Sequence, residues 1–341
     1  MRNGILVGGN WIIDHVKIID AYPQEEQLAN ISEEFSSNGG SAYNLLKDLY
    51  KLQVKFPLEG IGLVGDDEKG ESILQECRDM NVDTRQIKKI ATTGTSYTDV
   101  MSVRQTGRRT FFHHRGANKL LDIPHFNFEI STARIFHLGY LLLLDKLDEQ
   151  VENGFTGAAL VFKKAKEAGF MTSADIVSDN SGRFREIIPS SLPYIDFLFI
   201  NEFEAKMLTG IDTCSTSGQI DHLACKAATV SMLEMGVQEW VILHFPEGVI
   251  AASKEGKFIF QPSLCLDESF IEGTVGAGDA FAAGVLAGIH DEWAMESCLK
   301  LGVCTAAASL FAATSSDGVL PLEDCLQLAE RFGFNEYIIA V

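Results

Sequence analysis

The stretch of this chain best suited to chemistry runs from Glu272 to Phe281, as Glu-Gly-Thr-Val-Gly-Ala-Gly-Asp-Ala-Phe. It leads into the apolar run Ala282-Ala283-Gly284-Val285-Leu286-Ala287-Gly288. Small residues let a backbone approach a ligand closely. The free N–H groups of a helix start favour negative charge. Gly276, Ala277 and Gly278 therefore suit a phosphate cradle or a hole for a developing oxyanion. Asp279 beside them could orient a hydroxyl and take its proton during phosphoryl transfer. A second reading stays open at this point: a tight turn at Gly276–Gly278 with Asp279 capping the helix.

Two phosphate-binding alternatives do not match. No GxxxxGK[ST] occurs, which argues against a P-loop NTPase. Gly276-Ala277-Gly278 does not complete a GxGxxG, because residue 281 is Phe. A full dinucleotide domain would also need more chain than follows.

Three further stretches carry polar groups where ligands are held. Asn38-Gly39-Gly40-Ser41-Ala42-Tyr43-Asn44 opens a helix, and Asn44 could hydrogen-bond a polyol. Asn201-Glu202-Phe203-Glu204 follows the apolar strand Phe197–Ile200, at the strand end where α/β proteins bind ligands. Asn201 or Glu204 could order the waters of Mg²⁺ on a triphosphate, since Mg²⁺ takes few protein ligands. Asp14 follows the first strand and could accept hydrogen bonds from sugar hydroxyls. Each has a plainer alternative: a loop-to-helix junction, an acidic first turn complementing the helix dipole, and a solvated loop carboxylate. His113 and His114 are neighbours in an extended segment, so their side chains face opposite ways. They read as a solvated strand or a lid contact, not as a metal site.

The elements that must position these groups alternate between strand and helix patterns, the mark of a mostly parallel α/β sheet. Strands are predicted at Ile5–Gly9, Gly60–Val64, Ala133–Leu138, Phe170–Asp175, Phe197–Ile200 and Glu239–His244. Helices are predicted at Ser41–Lys51, Glu68–Met80, Gln150–Ala168, Gln219–Met235, Gly278–His290 and Met295–Ala313. Residues 14–36 and 92–115 read as β without helices, with a turn at Thr106-Gly107-Arg108. They suggest a small β flap beside a site.

Composition narrows the partners. The chain has 341 residues, a net charge of −19 and 46% apolar residues, which is globular and acidic. That balance argues against nucleic acid held by phosphate contacts and against an anionic membrane surface. It leaves room for a small anionic ligand, because a pocket sets its own field. The seven cysteines contain no CxxC, so reduced cytoplasmic thiols are expected. No window has the apolar length of a membrane span, and the N-terminal apolar stretch is too short for a signal-peptide core.

Taken in order, these stretches resemble the ribokinase-like (PfkB) carbohydrate kinase family. Gly39-Gly40-x-x-x-Asn44, Asn201-x-x-Glu204 and Gly276-Ala277-Gly278-Asp279-Ala280-Phe281 are similar to its three signatures. Val64-Gly65-Asp66-Asp67-x-x-Gly70, His137-Leu138-Gly139-Tyr140 and Leu208-Thr209-Gly210 continue the likeness from about Ile5 to Pro321. The resemblance implies one three-layer α/β/α kinase domain over residues 1–341, with a lid from about 14–36 and 92–115. It implies ATP-dependent, Mg²⁺-assisted phosphorylation of a hydroxymethyl group on a sugar. Asp279 would be the base and Gly276–Gly278 the anion hole. Asp14, Gly39, Gly40, Asn44 and Arg115 would hold the acceptor, and Asn201 and Glu204 would serve Mg²⁺–ATP. A nucleoside kinase of the same fold and an idle sugar or nucleotide sensor are the alternatives. A cytoplasmic homodimer paired through the lids is also implied. Two positions depart from the pattern. Gly273 stands where many members carry an aspartate that helps bind a monovalent cation, so K⁺ activation is left open. Pro246 stands where the nucleotide-side loop usually has a glycine, and it fixes φ and lacks an N–H. The apolar Tyr337–Val341 is expected to add an edge strand or to sit on the core.

Overall fold

The computed structural model describes residues 2–336 apart from Gly107, Asn153, Thr216 and Ser217. The centre of the turn expected at Thr106–Arg108 and the segment Tyr337–Val341 lie outside the described residues. The strands, in chain order, are β1 (Ile5–Gly9), β2 (Ile12–Ile19), β3 (Ile31–Gly39), β4 (Leu58–Gly65) and β5 (Asp83–Ile90). Next come β6 (Ser96–Val103), β7 (Arg109–His114), β8 (Ile135–Leu141), β9 (Gln150–Glu152) and β10 (Phe155–Thr156). The last are β11 (Met171–Ile176), β12 (Phe197–Asn201), β13 (Trp240–Phe245), β14 (Gly248–Ser253) and β15 (Phe258–Pro262).

The central sheet has the order β15-β14-β13-β12-β11-β8-β1-β4-β5. It is parallel from β5 through β13, and β14 and β15 close one edge antiparallel. Its short apolar runs are buried on both faces because helices cover both. Period-two alternation sends neighbours to opposite layers. Ile5 and Val7 join the core under the helices Ser41–Lys51, Ala277–His290 and Met295–Ser309, while Leu6 joins the other. Ile242 and its neighbours Val241 and Leu243 divide the same way. The result is a three-layer α/β/α arrangement.

A second sheet, β3-β2-β6-β7, stands apart. Its inner pair β2 and β6 runs parallel, and both outer pairs are antiparallel. It is built from the two stretches that read as β without helices. Along β6 the buried residues Ser96, Thr98, Val100 and Ser102 alternate with half-buried ones. This inward face is mostly polar, as a wall of a polar site would be.

Several boundaries differ from expectation. The helix expected from Gln150 starts at Gly157, because β9 and β10 pair as a short hairpin first. Thr156 Oγ1 then accepts from the Ala159 N–H and caps the helix. The helix expected from Gln219 starts at His222, where Asp221 accepts from two N–H groups. Strands β5, β14 and β15 and the helix Leu322–Phe332 add elements not anticipated. All seven cysteines are unpaired, and Cys77, Cys225, Cys298, Cys304 and Cys325 are buried. Among the described residues no helix is long and apolar enough to cross a membrane.

Candidate active site

A cavity of about 660 Å³ opens between the carboxyl ends of the parallel strands and the small sheet. Asp279 forms part of its floor, in the first turn of the helix Ala277–His290. That helix begins at Gly276, whose φ of 81° only glycine adopts freely, and no side chain caps it. A Cβ on Gly276 would lie 2.5 Å from the Ser315 carbonyl oxygen, so the loop is packed against that turn.

Asp279 is 5% exposed and is held by two donors. Asn44 Nδ2 donates to Oδ2 at 2.8 Å, and the Tyr140 hydroxyl reaches Oδ1 at 2.8 Å and Oδ2 at 2.7 Å. Asn44 is itself oriented by Ser315, whose Oγ donates to its Oδ1 at 2.9 Å. Asn10 fixes Tyr140 by accepting from its backbone N–H at 2.8 Å. Burial, and then the charge of Asp175, raise the Asp279 carboxyl to about 7, against the lowering by Tyr140 and Asn44. A carboxylate at a helix N-terminus is expected to stay ionised, but here desolvation and a like charge outweigh the dipole.

The residues expected to hold an acceptor gather at the same cavity. Gly40, Asn44, Asp14 and Arg115 line it. Gly39 lies just behind Asp14: a Cβ there would come 2.3 Å from Asp14 Oδ2. Burial raises the Asp14 carboxyl to about 6, while the Thr98 hydroxyl and the Arg109 charge lower it. Arg115 is half-exposed at the rim and ion-pairs with Asp145 at 3.6 Å. His113 also lines the cavity, whereas His114 stacks on Tyr97 at 4.9 Å on the other side of the strand. The His113 Nδ1 meets Thr98 Oγ1 at 3.0 Å, and its buried Nε2 has no hydrogen-bond partner among the described residues.

Asn201 and Glu204 sit on the cavity wall in a capping box. The Asn201 Oδ1 accepts from the Glu204 N–H at 2.9 Å, and Glu204 Oε2 accepts from the Asn201 N–H at 3.0 Å. Glu204 Oε1 accepts from Asn201 Nδ2 at 2.9 Å and from Ser178 Oγ at 2.8 Å. The helix-terminus reading of this stretch is thus realised, within reach of a ligand. Burial drives the Glu204 carboxyl up to about 8.

A second cavity, about 550 Å³, adjoins the first. His244 and Gly278 line both, while Phe245, Pro246, Ala277 and Phe281 line only the second. Burial holds the His244 imidazole down at about 4, so it is neutral. The helix start at Gly276–Gly278 therefore lies where a cavity lined by Asp14, Asn44, Asp175 and Asp279 meets one lined by Phe245, Leu264, Ile271 and Phe281.

Asp175, Thr98 and Ser315 were not singled out from the sequence, and Tyr140 stood there only as part of the family-like stretch His137-Leu138-Gly139-Tyr140, with no role given to it. A usable signal existed for two of them. Tyr140 and Asp175 close the carboxyl ends of β8 and β11, beside the ligand-bearing edge. A Cβ on Gly139 would strike Asp175 Oδ1 at 1.7 Å, which ties these two strand ends together.

The sequence profile described as pfkB family carbohydrate kinase matches residues 8–324. Ribokinase of Haemophilus influenzae is 23% identical over 338 residues, covering 97% of this chain and 100% of that protein. Adenosine kinase 2 of Arabidopsis thaliana is 22% identical over 330 residues, covering 88% of this chain and 92% of that protein. Among solved structures, Arabidopsis thaliana ribokinase complexed with ribose and ATP superposes with a TM-score of 0.76 at 20% identity, covering 96% of this chain and 99% of that one. The nucleoside kinase of Methanocaldococcus jannaschii superposes with a TM-score of 0.74 at 18% identity, covering 96% and 98%.

Proposed function

Because the chain belongs to the pfkB family of carbohydrate kinases, we propose that it moves the γ-phosphoryl group of ATP to a hydroxymethyl group of a sugar. The observation that carries this reading is the meeting of two cavities at Gly276–Gly278, with Asp279 directly beside the junction. The cavity that holds Asp14 and Asn44 takes the acceptor, and the one lined by Phe245, Leu264 and Phe281 takes the nucleotide base. Asp14, Asn44 and the unpartnered Nε2 of His113 offer hydrogen bonds to hydroxyls. Gly39 and Gly40 let the backbone come close to them. Asp279 orients the acceptor hydroxyl and takes its proton, while the helix N–H groups stabilise charge on the phosphoryl oxygens.

Mg²⁺, when bound, neutralises phosphate charge. Glu204 already accepts three hydrogen bonds, which suits it to metal-bound water more than to the ion itself. The small sheet acts as the lid that excludes water from the transfer. Its Ile31 and Phe112 are each 52% exposed, which supports pairing of two chains through these sheets. Sedimentation velocity is expected to return twice the 37.4 kDa chain mass, and a monomer at micromolar concentration would refute the pairing.

A nucleoside acceptor is the second reading, favoured by Ile12 and Phe111 on the cavity wall, which would flank a base. A panel of sugars and nucleosides, each with Mg²⁺–ATP, separates the two by ADP release. Turnover is expected with a sugar. Nucleoside turnover alone would select the second reading. ATP binding without turnover on any acceptor would indicate a sensor, and no nucleotide binding by calorimetry would remove the kinase reading.

A further inference from the structure

One guanidinium binds the turn that packs against the loop leading into the anion hole, and borders that loop at Gly273. Arg109 opens β7 of the small sheet, and its Nη2 donates to the Ala313 carbonyl at 3.2 Å. Gly273 lies beside it: a Cβ there would sit 3.1 Å from Arg109 Nη2 and 2.9 Å from the Ala312 carbonyl oxygen. The same turn binds the loop again through its backbone, where Glu272 N–H donates to the Leu310 carbonyl at 2.8 Å. At the far end of the loop, Gly276 rests on the Ser315 carbonyl. Carbonyl oxygens of residues 310–315 thus crowd the chain from Glu272 to Gly276.

Carbonyl oxygens with a neighbouring carboxylate make a site for a hard cation. Here the oxygens are present, position 273 supplies no carboxylate, and a permanent positive charge already lies among them. Gly273 adds no negative charge, and its missing side chain is the space that the guanidinium tip borders. A guanidinium does not lose its proton in a protein. A second cation a few ångströms away would be repelled. These residues do not fit a bound monovalent cation.

We infer that Arg109 is a positioning residue that takes the place of a monovalent cation, holding the turn 310–315 against the loop 272–276 so that turnover needs no K⁺. The charge arrives with the small sheet, so the anion-hole loop is fully braced only when that sheet lies against it. Asp14, on β2 beyond the intervening strand β6, is a carboxylate whose charge bears on the guanidinium. The effect on turnover rests on the kinase reading; the effect on cation binding does not.

The test uses the full chain in potassium, sodium and choline chlorides at matched ionic strength. For the wild type, kcat and melting temperature are expected to be the same in all three. A potassium-specific rise in either would overturn the inference. Arg109→Ala is expected to lose about 10- to 100-fold in kcat, the worth of a charge-assisted hydrogen bond. Arg109→Lys should recover part of that loss by restoring the charge. Wild-type turnover in Arg109→Ala, or equal damage from Lys and Ala, would overturn it. In Arg109→Ala combined with Gly273→Asp, melting temperature should rise with potassium and not with choline. No response there would mean that the loop is not a disguised cation site, and would also overturn it. If Arg109→Ala does not fold, the wild-type salt series and Arg109→Lys still decide. If no acceptor is turned over at all, the kinase reading fails, and the melting series alone upholds or overturns the cation replacement.

Discussion

Replacing Asp279 by asparagine is expected to lower kcat by about 10²- to 10⁴-fold, the usual contribution of a positioned general base. The fold should survive, because Asn keeps the shape and an oxygen for Asn44 Nδ2, which now donates at 2.8 Å. Steady-state kinetics beside a thermal melt checks both halves, and near wild-type turnover would sink the assignment. The pH dependence has a definite sign. With a carboxyl raised to about 7, kcat/KM should fall as pH drops through that value, since only the ionised form can take a proton. Tyr140→Phe removes a donor that lowers this value, so the acid limb should move to higher pH. A role for Tyr140 in packing alone would leave the limb in place. Stability runs the other way. The folded state binds this proton more tightly than the unfolded chain, so the contribution is full below the ordinary carboxylate range and is lost as pH rises through about 7. Asp279→Asn should flatten that part of the profile.

Gly276→Ala should cost about 10²- to 10³-fold in kcat, the loss seen when one oxyanion donor is misplaced. Two physical effects combine. The φ of 81° disfavours any side chain, and the new Cβ would lie 2.5 Å from the Ser315 carbonyl oxygen. Moving Ser315 also disturbs the hydroxyl that orients Asn44, and Asn44 in turn holds Asp279. Gly278→Ala is the control. Its Cβ would meet His244 Cε1 at 3.5 Å, an ordinary contact. Its melting temperature should therefore match the wild type, and any loss of turnover would report crowding of the phosphate alone. Equal melting and equal turnover in both variants would refute the anion-hole role of this loop.

Much of the architecture is legible in the sequence because burial writes itself into local pattern. Ile5–Gly9 and Phe197–Ile200 are apolar runs between helical stretches, and a strand buried on both faces needs such a run. Gly276-Ala277-Gly278-Asp279 stands out because a close backbone approach demands small residues at adjacent positions. The hairpin β9–β10 reads as helix because a few residues of pairing leave no period to detect. Strand β5 carries charges on its exposed residues at the sheet edge and does not look like its inner neighbours.

The amino-acid sequence by itself determined the layered α/β fold, the glycine loop, the acid beside it and the order of the polar stretches. Each depends on residues that are neighbours along the chain. Only the tertiary structure decided that Tyr140 and Asn44 clamp Asp279, that Asp175 helps to hold its proton, and that Arg109 reaches the loop of Gly273 from another sheet. Those partners come from separate strands and helices. Their effect falls off over a few ångströms in space, and local sequence pattern does not encode such distances.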